Sequence, residues 1–250
     1  MSGHSKWSTI KRAKGALDAK RGKIFSKLSH EISVASKEGG GDADLNPRLR
    51  QAIAAAKKEN MPKDTIEKAV KKGSGELEGA AFEEATYEGF APGGVALIVE
   101  VTTDNKNRSA ADIRNIFNKN NGSMGTSGSV AYLFERRGEI RLALDSGSED
   151  DILDLALEAG ADDVSLDEEH HIIHTTPDEL SKVSTALRER DVEIASQQLV
   201  YLPQNLVEVD DRSTATQILR LYEILDDYDD TLNVFANFDI PDSVLEAALA

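Results

Sequence analysis

The run Ile140-Arg141-Leu142-Ala143-Leu144, taken together with residues 145–202, decides the fold class. It predicts a strand, and a helix is predicted behind it over residues 151–159. Short strands are predicted at Val164-Ser165-Leu166 and His170-His171-Ile172-Ile173-His174, then a helix over 177–190 and a last strand over 193–202. The order β-α-β-β-α-β is the ferredoxin-like signature. This unit, residues 139–202, carries 4 basic and 17 acidic residues, which disfavours it as a surface for phosphates.

On either side of the unit lie elements that need each other. Upstream, Tyr87-Glu88-Gly89-Phe90 and Val95 to Val101 read as strands parted by the turn Pro92-Gly93-Gly94. The loop Asp104-Asn105-Lys106-Asn107-Arg108-Ser109 leads into a helix marked by Ile113, Ile116 and Phe117. A glycine loop, 122–128, and a strand over 130–134 come next. Downstream come a strand at 206–209, a helix around 218–225 and a strand over 232–238, which complete the sheet begun at residue 87 if the ferredoxin-like unit is an insertion. The expected class is α+β multidomain: an N-terminal three-helix domain and two α/β (ferredoxin-like) domains, one inserted into the other. Their expected bounds are 1–80, then 81–137 plus 204–250, with 138–203 inserted.

The N-terminal part has a different period and the opposite charge. Residues 1–16 read as a flexible arm, and a helix is predicted over 18–37 from Ile24, Phe25, Leu28, Ile32 and Ala35. Asn46-Pro47 supplies a cap and a first-turn proline for a second helix with Leu49, Ala52, Ile53 and Ala56 inward. Asn60 stops it, and Met61-Pro62 opens a third helix with Ile66, Ala69 and Val70 inward, closed by Gly73. Residues 1–80 hold 17 basic and 10 acidic residues, a net +7 within a chain of formal charge −16. Eight of the cations fall in the first thirty residues: Lys6, Lys11, Arg12, Lys14, Lys20, Arg21, Lys23 and Lys27. Such clustering is the footprint of a phosphate-backbone partner, and Trp7 in its midst suits stacking on an unpaired base. Distant carboxylates weaken it little, because the Debye length is roughly 8–10 Å at working salt.

Several chemistries are disfavoured. With no cysteine in the chain there is no disulfide, thiolate metal site or Cys nucleophile. No window approaches a membrane span, and the N-terminus has no apolar core of a secretory signal, so a cytoplasmic protein is expected. His170, His171 and His174 suggest metal ligation, but strand neighbours face opposite sides and His170 and His174 stand about 13 Å apart at roughly 3.3 Å per residue. A solvated strand is the expectation, with no metal. The glycine loop lacks the Lys-Ser/Thr of a nucleotide-binding loop, although Thr126, Ser127 and free backbone N–H groups there are a candidate secondary phosphate contact, as are Asn105, Asn107 and Arg108. No catalytic residue, cofactor or small-molecule substrate is expected.

Seven blocks are more specific than any of this: Gly3 to Trp7, Asp18 to Phe25, Asn46 to Arg50, Asn60 to Pro62, Tyr87 to Phe90, Thr103 to Arg108 and Gly128 to Phe134. In this order they closely resemble the YebC/PmpR family, whose mitochondrial relatives are translational activators of a cytochrome oxidase subunit. Between the first two blocks, Thr9 to Leu17 departs from the family's wording while keeping Lys11 and Lys14. The resemblance implies three domains, no catalytic residues, and one of two roles. Bacterial members are described as transcriptional regulators that bind DNA; others look like ribosome-associated factors that relieve stalling at proline-rich stretches. A first block beginning at residue 3 leaves no room for a transit peptide, favouring the bacterial-type reading.

The two roles imply different partners: DNA, or ribosomal or transfer RNA on the ribosome, and in neither case a membrane. In both, Lys6, Trp7, Lys11, Arg12, Lys14, Lys20, Arg21, Lys23 and Lys27 form the nucleic-acid-binding set. An acidic body held clear of the phosphates completes the picture. No helix carries the Arg, Asn and Gln pattern of major-groove readout.

Overall fold

A computed structural model describes residues 17–77 and 82–249 of the chain. The arm with Lys6, Trp7, Lys11, Arg12 and Lys14 lies outside the described residues. Three helices come first: α1 (Leu17–Gly39), α2 (Pro47–Lys58) and α3 (Lys63–Gly73). Asn46 shapes their junction. Its side-chain oxygen accepts from the Leu49 amide at 3.1 Å, capping α2, while its amide nitrogen donates to Ala35 and Gly40 carbonyls at 2.7 and 2.8 Å, closing α1. Asn60 sits at a left-handed φ of 59° and turns the chain into α3. The core between the helices is Ile32, Ala35, Leu49, Ala52, Ala56, Met61, Ile66 and Ala69. Of the expected stripe on α1, Ile24 instead remains 37% exposed.

The α1–α3 contact is close because small residues line it. Ser33 and Ser36 are buried and donate to the Ala69 and Val70 carbonyls at 2.9 and 2.8 Å. A Cβ on Gly73 would stand 2.1 Å from the Ser33 carbonyl oxygen.

Two antiparallel sheets come after the helices. Strands β1 (Glu83–Phe90), β2 (Ala96–Thr103) and the two-residue β3 (Ser123–Met124) are joined by β9 (Thr231–Ala236) in the order β3-β1-β2-β9. Helices α4 (Lys106–Lys119) and α7 (Arg212–Asp226) bury one face, with α8 (Asp242–Leu249) behind α7. Between β3 and α7 the chain builds the second sheet from β4 (Phe134–Ala143), β5 (Asp163–Leu166), β6 (His170–Thr175) and β7 (Ser196–Pro203). Its order, β5-β6-β4-β7, is the ferredoxin-like order, with α5 (Glu149–Ala159) and α6 (Leu180–Arg188) on one face over Ile140, Leu142 and Ile173. A short parallel pair, β8 (Val207–Glu208) with β10 (Phe238–Asp239), lies beside the return of the chain. The fold is α+β, with one α/β unit carried inside the other.

Two expectations are corrected. Residues 130–134 do not form a strand: Ala131–Leu133 is a 3₁₀ turn, and strand structure starts at Phe134. Buried Val130 and Phe134 there cover Ala96 and Ile98 on the first sheet, so the apolar spacing reports packing rather than a strand. The histidine strand is also not solvated. As β6 it runs between β5 and β4, and His171 is 3% exposed, its Nε2 near the Leu144 and Gly147 carbonyls at 3.4 and 3.2 Å.

The crowding at Gly73 gives a first prediction. Gly73→Ala should destabilise the helical domain by about 1–3 kcal/mol, since backbone must shift to admit the methyl group. Urea unfolding followed by far-UV circular dichroism measures it; a wild-type midpoint would mean that α1 and α3 separate freely.

Candidate nucleic-acid interface

The basic helix α1 does not stand clear of the acidic body. Lys23 Nζ lies 2.8 Å from Asp227, and Lys27 Nζ donates to Asp226 at 3.1 Å and to the Leu232 carbonyl at 3.2 Å. Lys20 and Arg21 lie one turn earlier on the same helix. The acidic body thus already supplies carboxylates to two of the cations expected to bind phosphate, Lys23 and Lys27. The physical reason sits at the end of α7. Asp226 and Asp227 occupy the negative pole of that helix, whose last turn has no basic residue. Carboxylates there are disfavoured by the macrodipole and draw cations from elsewhere.

The same segment organises the loop after β2. Asp230, buried at 6%, accepts from Thr103 Oγ1 at 2.8 Å and from Arg108 Nη2 at 3.0 Å. Tyr228 Oη donates to Asp112 at 3.0 Å. Burial, with the carboxylates of Asp112 and Asp230, pushes the Tyr228 phenol above its ordinary range. Asn105 caps α4, accepting from the Arg108 amide at 3.1 Å. Asn107 is exposed. Two groups that the sequence left separate, the lysines of α1 and the 104–108 loop, thus meet the single segment 226–230.

The glycine loop behaves differently. Thr126 and Ser127 are exposed and make no side-chain hydrogen bond among the described residues. One amide of that loop, Gly128, is taken within the chain: Glu88 accepts from the Gly128, Val130 and Ala131 N–H groups at 2.6, 2.7 and 2.8 Å. Glu88 on β1 is 6% exposed. Burial alone would raise its pKa, but the three amides outweigh burial and hold it below the usual carboxylate value. The loop binds an anion, and the anion is the protein's own.

A further anchor escaped the sequence reading. Arg48 forks onto Glu31 with Nε–Oε1 2.8 Å and Nη2–Oε2 3.1 Å, and also reaches Glu38 at 2.6 Å and Glu84 at 2.5 Å. Glu84 belongs to β1, so this residue binds the helical domain to the first sheet. Its signal was its place in the block Asn46 to Arg50. His30 stacks on Phe82 with ring centroids 4.2 Å apart, and Lys72 Nζ lies 3.8 Å over the same ring. On the second sheet, Glu139 is buried beside Arg141, His174 and Gln198. Burial would raise its carboxyl, but these partners bring it down to about 2.

Exposed cations remain on the helical domain. Lys57, Lys58, Lys63, Lys68 and Lys71 face solvent on α2 and α3, and of these Lys63 pairs with Glu67 at 3.5 Å. Among the described residues no group of three or more His, Asp or Glu side chains is arranged to hold a metal ion. No described helix is long and apolar enough to cross a membrane.

A basic helical head on two interleaved α+β units defines a multidomain protein of one recognisable class. Residues 5–76 match the family model described as "TACO1/YebC protein N-terminal domain", and residues 82–238 match "TACO1/YebC second and third domain". The chain belongs to the YebC/TACO1 family. It is 54% identical over 248 residues to a protein of Akkermansia muciniphila named "Probable transcriptional regulatory protein", covering 98% of this chain and 99% of that one. A relative of the same name from Syntrophobacter fumaroxidans is 52% identical over 246 residues, covering 98% and 99%. The crystal structure of a conserved hypothetical protein from Aquifex aeolicus superposes with a TM-score of 0.84 at 49% identity, covering 91% of this chain and 93% of that one.

The Glu88 nest makes an acid-sensitivity prediction. A carboxyl depressed in the fold stabilises it above the unfolded pKa of about 4.3, and that stability is lost as pH falls through the folded value. Glu88→Gln keeps one acceptor and places an NH2 group against the donors, so it should cost about 1–3 kcal/mol near neutral pH and flatten the loss of stability below pH 5. Thermal melts from neutral pH to about pH 3 read both effects.

Proposed function

We propose that this protein is a nucleic-acid-binding regulator, acting as a DNA-binding transcriptional regulator through its basic N-terminal domain. One observation carries the reading: residues 1–80 hold a net +7 while the other residues hold −23, from 12 basic and 35 acidic side chains. A phosphate backbone is therefore attracted to one end of the molecule only. The relatives' names favour transcription as the process regulated. Lys6, Lys11, Arg12, Lys14, Lys20, Arg21, Lys23 and Lys27 neutralise phosphates, with Trp7 available to stack on a base. On this reading residues 1–80 are the binding unit, 81–137 with 204–250 form the body, and 138–203 are the unit carried within it. The protein works in the cytoplasm, needs no cofactor and performs no catalysis.

A second reading, a translation factor on ribosomal RNA, is favoured by the kind of side chain exposed. α2 and α3 present lysines, which read charge and shape rather than base edges. It uses the same residues on a different polyanion.

Salt dependence tests the shared core of both. Engagement of about six phosphates gives a log–log slope near −5 on duplex DNA, at roughly −0.9 per phosphate. Replacing Lys20, Arg21 and Lys23 together with alanine should flatten it by about two to three; an unchanged slope would place the phosphates elsewhere. Crosslinking in cells with sequencing of both DNA and RNA separates the readings. Promoter DNA without ribosomal RNA supports the regulator, and the reverse supports the translation factor.

A further inference from the structure

We propose that the acidic tip 226–230 is an intramolecular counter-ligand for α1, holding Lys23 and Lys27 through Asp227 and Asp226 until a nucleic-acid backbone displaces it. The proposal rests on the reading of the N-terminal domain as the nucleic-acid-binding unit. Three observations converge on it. The two lysines belong to the basic cluster, yet each already faces a carboxylate, at 2.8 and 3.1 Å. Those carboxylates lie at the pole of α7 that disfavours negative charge, with no basic residue in that last turn, so the cations that offset them come from elsewhere in the chain. The tip is also graded. Asp230 is fixed by Thr103, Arg108 and Tyr228 with its side chain 9% exposed, whereas Lys23 and Asp227 are 40% and 49% exposed and Lys27 and Asp226 27% and 26%.

That gradient suits exchange. The exposed Lys23–Asp227 pair is weak and screened by salt and yields first, and the half-buried Lys27, which also donates to the Leu232 carbonyl, yields to a longer phosphate row while Asp230 keeps the tip attached to the body. The carboxylates imitate, within the chain, the charge that the helix binds outside it. Ligands of low charge density fail to open the contact, and only a polyanion that also engages Lys20, Arg21 and the residues before them recovers the cost. The tip therefore acts as a threshold, raising the phosphate density that the N-terminal domain requires.

The test compares Asp226→Asn/Asp227→Asn with wild type on a short DNA duplex and an RNA hairpin, using the full chain. The expected result is roughly fivefold tighter binding of whichever probe the wild type retains, from two lost weak pairs. Asp150→Asn/Asp154→Asn makes the same change in net charge on exposed positions of α5 and should alter binding by less than about twofold, since it lies outside the contact. Asp227→Asn alone breaks only the more exposed pair, guards against misfolding of the double variant, and should give about a twofold gain. Equal gains from the tip and α5 variants, or no gain from either tip variant, overturn the proposal while leaving the nucleic-acid reading in place. If neither wild type nor tip variants retain either probe, the nucleic-acid reading falls and the proposal with it.

Discussion

Strand β2 has no face toward water, and that constraint shapes the rest of the molecule. Leu97, Val99 and Val101 point into the core under α4 and α7, while Ala96 and Ile98 on the other side are covered by Val130 and Phe134. An antiparallel sheet often leaves one face wet. Here the second face recruits cover from both other parts of the chain: the turn at 131–133 with Tyr201 of β7, and α1 of the helical domain. Tyr201 meets Phe235 edge-on with ring centroids 5.3 Å apart. The cost of that arrangement is polar groups in a dry place. Glu88 resolves it with three backbone amides, and Glu100 with a hydrogen bond from Asn233 at 3.1 Å, although burial still pushes the Glu100 carboxyl up.

Charge decides how the helical domain sits on this scaffold. Arg48, Lys37, Lys27 and Lys23 all reach carboxylates or carbonyls of the body, and the apolar contribution at that seam centres on Phe82. The exposed ion pairs of this junction are screened by salt, so their part of the contact is sensitive to ionic strength. The basic character that marks the N-terminal domain as a partner for phosphates is also what docks it. The two uses share Lys23 and Lys27.

Much of the fold was legible in the sequence because periodicity is local. The ferredoxin-like order, the insertion and the three helices came from spacing and from caps such as Asn46-Pro47. The reading failed where a residue's role is set by a distant partner. Val130 to Phe134 look like a strand because they are apolar, and only Ala96 and Ile98 across the interface show why. Glu88 reads as a surface acid until the loop at 128–131 folds over it. The candidate site was partly visible: the clustering of cations in the first thirty residues is plain, but nothing near Lys23 announces Asp227, some two hundred positions later.

The insertion has a temporal consequence. The first and last strands of the second sheet, β4 and β7, are paired along their length with Phe134 opposite Pro203, so the two ends of that sheet meet and it closes on itself. The first sheet cannot do likewise. Ala96 waits for the Asn237 side-chain oxygen, 141 positions away, to accept a hydrogen bond from its N–H, and β2 waits for β9 on its open edge. During vectorial synthesis β2 therefore emerges with β1 already made to pair one edge, and its other edge stays open until β9, near the end of the chain, is made. In the interval α4, the next element synthesised, is the first cover for the face that carries Leu97, Val99 and Val101.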